Sequence, residues 1–127
     1  MKVLSIILTS SKYKLLLRCI NSVLSQYPVK FDISLVINVN TTNDDYFNKV
    51  KEQIPLLYKN TITIIRTESN GYPGKGHNSC LEIFKKNPTF KYLLMIDGDD
   101  MYYPCAFQRF EMFLNKYPDM DLLHMML

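Results

Sequence analysis

Apolar runs of strand length alternate with stretches of helical period four times along this chain. Residues 3 to 8, VLSIIL, predict a first strand. Over residues 12 to 26 the period lengthens, placing Leu16, Cys19, Ile20, Val23 and Leu24 on one helical face, with Ser10 or Ser11 as the cap and Pro28 closing the unit. A second strand is expected at 31 to 38. The polar stretch after it leads into a helix with Phe47, Val50 and Ile54 on one face, capped by Thr42 and ended by Pro55. Asp44 and Asp45 suit the positive end of that helix dipole. TITIIR, residues 61 to 66, is β-branched and predicts strand three. The stretch GYPGKGHNS then reads as a flexible loop before a helix carrying Cys80, Leu81 and Phe84. Strand four, 91 to 96, is nearly continuous in apolar character, as in a parallel strand covered on both faces. Pro104 opens a last helix with Phe107, Phe110, Phe113 and Leu114 as its stripe. DLLHMML, at the end, reads as the start of strand five.

Successive βα units with short turns imply right-handed crossovers and a mostly parallel sheet with helices on both faces, an α/β Rossmann-like three-layer sandwich. The 127 residues are expected to form one domain. In such sheets ligands gather outside the carboxyl ends of the strands. Those ends are Thr9 to Ser11, Asn38 to Thr42, Thr67 to Lys75 and Asp97 to Asp100. A thin net charge of +3 without a basic run excludes a nucleic-acid partner. Cys19, Cys80 and Cys105 are scattered and odd in number, which excludes a disulfide framework and a CxxC metal site and points to a reducing compartment. No stretch reaches the roughly 20 apolar residues of a membrane span. The expected location is the cytoplasm, either free or at the cytoplasmic face of a membrane.

Strand four runs directly into Asp97-Gly98-Asp99-Asp100, three carboxylates with nothing basic close by in sequence. Asp97 and Asp99 at a strand end can share a hard cation, Mn²⁺ or Mg²⁺, leaving coordination positions that diphosphate oxygens fill. An EF-hand is excluded, since Met101 stands where its third ligand belongs. A Walker loop is excluded as well, because Gly71 and Gly74 are too close and Gly76 follows Lys75. Lys75 has two readings that the sequence leaves level, a phosphate-approaching cation and an ordinary glycine-rich connection. His77 reads as a helix cap before a ligand or base, and His124 as a core residue. Tyr102 and Tyr103 either wall the cleft or stack on a sugar or base.

With these landmarks placed, four ordered blocks resemble the nucleotide-binding half of a family 2 glycosyltransferase of the GT-A fold. SIILTSSKYKLLLRCINSVLSQ is similar to that family's first strand, turn and helix, ending in Asn21-Ser22-Val23-Leu24-Ser25-Gln26. DISLVINVNTTNDD resembles the second strand and its acidic loop. ESNGYPGKGHNSCLEIF resembles the stretch leading to an Asn-x-Gly-Leu helix, with Asn78 matching the Asn and Cys80 standing where Gly is usual. YLLMIDGDDMYYPCAFQRFEMFL matches the strand, the DxD and the following helix. The resemblance implies a nucleotide-sugar donor, with a UDP-sugar favoured, and a glycan, lipid or protein acceptor. Carried across, Asp97 contacts the ribose or a metal-bound water, Asp99 binds the metal, and Thr9 lies beside the nucleoside. Asn38-Val39 replaces an Asp pair that commonly reads the base, leaving an amide oxygen to accept the uracil N–H. The expected donor-binding set is Thr9, Asn38, Asn40, Asn70, Lys75, Asn78, Asp97 and Asp99, with Asp99 and Asp97 as metal ligands. The general base of an inverting transfer is expected beyond Leu127, since Asp119 and Asp121 come too early. The chain thus reads as the donor-binding portion of such an enzyme, without its acceptor-binding part. The rival readings are a nucleotide-sugar-binding pseudoenzyme or fragment and a sugar-1-phosphate nucleotidyltransferase, whose glycine-rich opening loop is missing.

Overall fold

The computed structural model describes residues 1–69 and 73–119. Eight elements alternate along it: β1 (Lys2–Thr9), α1 (Tyr13–Leu24), β2 (Asp32–Asn40), α2 (Asp44–Leu57), β3 (Ile62–Thr67), α3 (Pro73–Lys85), β4 (Tyr92–Asp97) and α4 (Ala106–Lys116). The four strands form one parallel sheet in the order β3-β2-β1-β4. The chain moves outward from β1 to β3 and then crosses back to place β4 on the other side of β1. Such a reversal opens a crevice between the strand ends on either side of it.

Side-chain alternation on the strands divides the core between the two faces. Val3 and Ile7 of β1 point to the face covered by α1, α2 and α4, where Leu16, Ile20, Val50, Ile54, Phe107 and Phe110 are buried. Leu4 and Ile6 point to the opposite face, where they meet Cys80 with Ile83 and Phe84 of α3. Helices therefore lie on both sides of the sheet, in the three-layer arrangement that the periodicity predicts. Strand register then levels the rim: Leu8 lies opposite both Asn38 of β2 and Asp97 of β4.

Several local expectations are corrected. Neither Ser10 nor Ser11 caps α1; Lys12 takes that position in a left-handed backbone conformation, with no side-chain cap bond. Asn43, not Thr42, caps α2, its side chain accepting from the Tyr46 N–H, because the helix begins one residue later than the polar run suggests. Pro55 lies inside α2 and does not end it. Its missing N–H removes only the bond to the Lys51 carbonyl, and the helix stops two residues further on. The glycine-rich stretch is largely helical, since α3 begins at Pro73, a residue type suited to a first turn. Pro104, by contrast, precedes α4, which begins at Ala106. Leu81 is exposed, and Phe113 is exposed and stacks on Tyr117, so the buried stripe of α4 is Ala106, Phe107, Phe110 and Leu114. The expected fifth strand and His124 lie outside the described residues.

Candidate functional site

β4 ends in a tight turn against β1. The Gly98 N–H donates to the Leu8 carbonyl at 2.7 Å, and the Asp100 N–H to the Asp97 carbonyl at 3.0 Å. A Cβ on Gly98 would stand 3.0 Å from the Thr9 Cβ and 3.3 Å from the Leu8 carbonyl oxygen. Glycine fits that approach, and any larger residue would require the neighbouring strand end to give way by a few tenths of an ångström. Gly98→Ala is expected to push the two strand ends apart and to destabilise the fold by about 1–3 kcal/mol, read as a lower urea midpoint at unchanged slope.

The turn gathers carboxylate oxygens of Asp97, Asp99 and Asp100 within 4.8 Å of one another. Like charges so close repel, and groups remote in sequence offset them. His77 Nε2 lies 3.1 Å from Asp97 Oδ1, and Lys12 Nζ 3.7 Å from Asp99 Oδ2. Arg18 Nη2 donates to the Asp99 backbone carbonyl at 2.8 Å. The adjoining cleft, about 260 Å³, is lined at its base by Leu8 and around it by Thr9, Ser10, Ser11, Lys12, Asn40, Ser69, Gly76, His77, Asp97, Gly98 and Asp99. Gly76 brings the first turns of α3 against the strand ends, where an added Cβ would sit 3.3 Å from a Leu8 methyl.

A chain of amide and hydroxyl groups supports the β2 and β3 side of the cleft. Ser69 Oγ donates to Asn40 Oδ1, and Asn40 Nδ2 donates to Thr67 Oγ1 at 2.8 Å. The Thr67 hydroxyl donates on to Asn38 Oδ1 at 2.6 Å, and Asn38 Nδ2 donates to Ser79 Oγ at 2.8 Å. Asn38 is fully buried beneath the cleft, whereas Asn40, two residues on and likewise bonded at both ends of its amide, lines the cleft. Thr9 also lines it, sharing a hydrogen bond with the Tyr46 hydroxyl. Asp97 and Asp99 stand at its acidic end. Asn78 and Lys75 are exposed on the first turns of α3 beside the lining residues Gly76 and His77, and Asn70 lies outside the described residues. Sequence reasoning missed Lys12 and Arg18; it placed Ser69 only within the rim stretch Thr67 to Lys75, and read Ser10 or Ser11 as a cap. The placement of Ser10 and Ser11 at a strand end was the one signal available for them.

The serine and glutamine that close the first sequence block hold the segment following the acidic turn. Ser22 Oγ accepts from the Tyr102 N–H at 3.0 Å. Gln26 donates to the Tyr103 carbonyl at 2.6 Å and accepts from the Phe107 N–H at 2.9 Å. The Gln26 side chain thereby satisfies a first-turn donor of α4 that the Cys105 cap position leaves open. Tyr102 is buried edge-on against Phe107, centroids 5.0 Å apart, and burial raises its hydroxyl pKa. It packs in the core, whereas Tyr103 is exposed. Burial, followed by the nearby Asp100 charge, pushes the Cys19 thiol up to about 12. It is therefore a neutral group under the turn, 3.7 Å from the Asp97 carbonyl.

Comparison with known proteins identifies the family and the fold. The family model described as glycosyl transferase family 2 matches residues 5–123. Poly(ribitol-phosphate) beta-glucosyltransferase of Bacillus spizizenii is 28% identical over 103 residues, which is 79% of this chain and 15% of that protein. Crystal structures of S. aureus TarS 1–349, one of them in complex with UDP-GlcNAc, share the fold with a TM-score of 0.62 at 22% identity. Those alignments cover 93% of this chain and 33% and 32% of the TarS chains. The chain thus spans a third or less of the relatives it matches.

Proposed function

This chain belongs to glycosyl transferase family 2, and from that membership we propose that its cleft binds a nucleotide-diphosphate sugar, a UDP-sugar by preference, beside a divalent cation held by Asp99 and Asp97. The observation carrying this reading is the convergence of carboxylates at the carboxyl end of β4, on the rim of a polar cleft at the point where strand order reverses. The donor set fits the ion. Carboxylate oxygens are hard ligands suited to Mg²⁺ or Mn²⁺, and two or three of them leave positions for diphosphate oxygens. When bound, the cation would neutralise charge developing on the departing nucleotide.

The protein's own groups do the rest. Arg18 fixes the Asp99 backbone, and His77 holds one oxygen of Asp97. Thr9, Asn40 and Ser69 offer hydroxyl and amide groups to the nucleoside end, supported from below by Asn38 and Thr67. The UDP-GlcNAc complex of TarS supports the choice of uridine. The lining carboxylates, Asp97 and Asp99, are assigned to the metal in this reading. The base that deprotonates an acceptor hydroxyl in inverting transfer is then a further group, and we assign none among the described residues. No helix among them is long and apolar enough to cross a membrane.

Titration calorimetry tests the proposal. UDP-GlcNAc and UDP-glucose are expected to bind in Mn²⁺ and to weaken at least about tenfold in EDTA, a difference of about 1.4 kcal/mol. Binding indifferent to metal would remove the assigned role of the acidic turn, and a preference for ADP over UDP would overturn the base assignment.

A further inference from the structure

We propose that Lys12 is an exchangeable counter-ion of the acidic turn: it neutralises Asp99 while no metal is bound, and turns to the donor's diphosphate once the metal takes that carboxylate. The inference rests on the donor-site reading above and adds a residue to it. Its first support is the backbone. Lys12 has φ 63 and ψ 62, the one positive φ among the described non-glycine residues, and its carbonyl accepts from the Leu16 N–H at the start of α1. A helix start ordinarily draws Ser, Thr, Asp or Asn in an extended conformation, and a left-handed one draws glycine. Lysine supplies neither the cap bond nor the freedom from strain. Strained residues of this kind concentrate at ligand sites. What lysine does supply is a cation lining the cleft.

The second support is the contact itself. Lys12 Nζ stands 3.7 Å from Asp99 Oδ2, with the two side chains 62% and 48% exposed. An ion pair so open to water is weak and readily exchanged. Arg18 differs, because it grips the Asp99 backbone carbonyl and leaves the carboxylate free for other partners. Lys12 and a divalent cation therefore compete for one carboxylate, and a bound diphosphate provides the displaced ammonium with a new partner. The two consequences have opposite signs. Without nucleotide, Lys12 opposes the metal; with metal in place, it assists the nucleotide.

Lys12→Met removes the charge and keeps the chain length, while Lys12→Gly removes the charge and relieves the backbone. Mn²⁺ affinity in the absence of nucleotide, read by electron paramagnetic resonance, is expected to rise about threefold to tenfold in both variants. UDP affinity at saturating Mn²⁺, read by calorimetry, is expected to fall by a similar factor in both. The melting temperature is expected to rise in Lys12→Gly alone. Unchanged Mn²⁺ and UDP affinities in Lys12→Met, beside normal binding by the wild type, would overturn the inference and leave the donor site standing. A binding change confined to Lys12→Gly would assign the effect to the backbone and likewise overturn it. A wild type that binds neither Mn²⁺ nor UDP would bring down the donor-site reading, and this inference with it.

Discussion

Asp99→Ala is expected to lower Mn²⁺ affinity by about 100-fold, or about 2.7 kcal/mol, and to abolish the metal-dependent part of UDP-sugar binding. The reason is ligation rather than general charge. Asp99 and Asp97 flank the one glycine that lets the turn close against Leu8, so their carboxylates converge, and the Arg18 bond to the Asp99 backbone keeps the turn in that form without consuming a carboxylate oxygen. Two further variants separate the causes. Asp99→Asn keeps the volume and should fall nearly as far as Asp99→Ala. Asp100→Asn, which removes a neighbouring charge without removing an assigned ligand, should cost only a few-fold through the field. Equal losses in the two Asn variants would mean that the turn acts as a diffuse negative patch. The fold is not expected to suffer: deleting one of three crowded, half-exposed carboxylates relieves repulsion, so thermal stability in EDTA should hold or rise. A marked loss of stability there would mean that binding failed for structural reasons.

The largest effect on stability is expected at Phe107. Its ring is fully buried, edge-on to Tyr102, and its N–H is held by Gln26. Phe107→Ala should destabilise the fold by about 3–5 kcal/mol through lost burial and the cavity left behind, a large share of the roughly 5–15 kcal/mol that a domain has. Phe113, six residues on and 40% exposed, provides the internal comparison. Phe113→Ala should cost under about 1 kcal/mol. Urea unfolding of both variants measures the difference, and similar losses would show that the buried stripe of α4 has been misassigned. Because Phe107 packs directly beneath the segment leaving the acidic turn, Phe107→Ala should also weaken Mn²⁺ binding, though less than Asp99→Ala does.

The two phenylalanines mark how far periodicity reaches. A stripe drawn through Phe107, Phe110, Phe113 and Leu114 is too wide, because the helical period places Phe113 at its margin and packing against α1 and the sheet decides which margin is covered. The caps differ from expectation for a similar reason. Several neighbouring residues around 41 to 43 can each cap a helix, and the choice falls to the one whose backbone leaves the strand at the right angle. Pro55 and the glycine-rich start of α3 mislead because Pro and Gly signal breaks in general. Yet Pro55 costs α2 a backbone bond only shortly before its end, and Pro73 opens α3 in a first turn, where no N–H is needed.

The order of strands and helices, the parallel sheet and the rim carrying Asp97, Asp99 and Asp100 were determined by the sequence alone, because apolar period and chain direction are local properties that a short window contains. Tertiary structure alone decided which groups meet at that rim. Lys12 and Arg18 reach the acidic turn from the other end of the chain, and His77 from a helix on the opposite face. Asn38 is sealed beneath the cleft while Asn40 opens into it, although both point the same way along β2. Strand register and the height at which α3 crosses the sheet determine these outcomes, and both follow from packing summed over the whole chain.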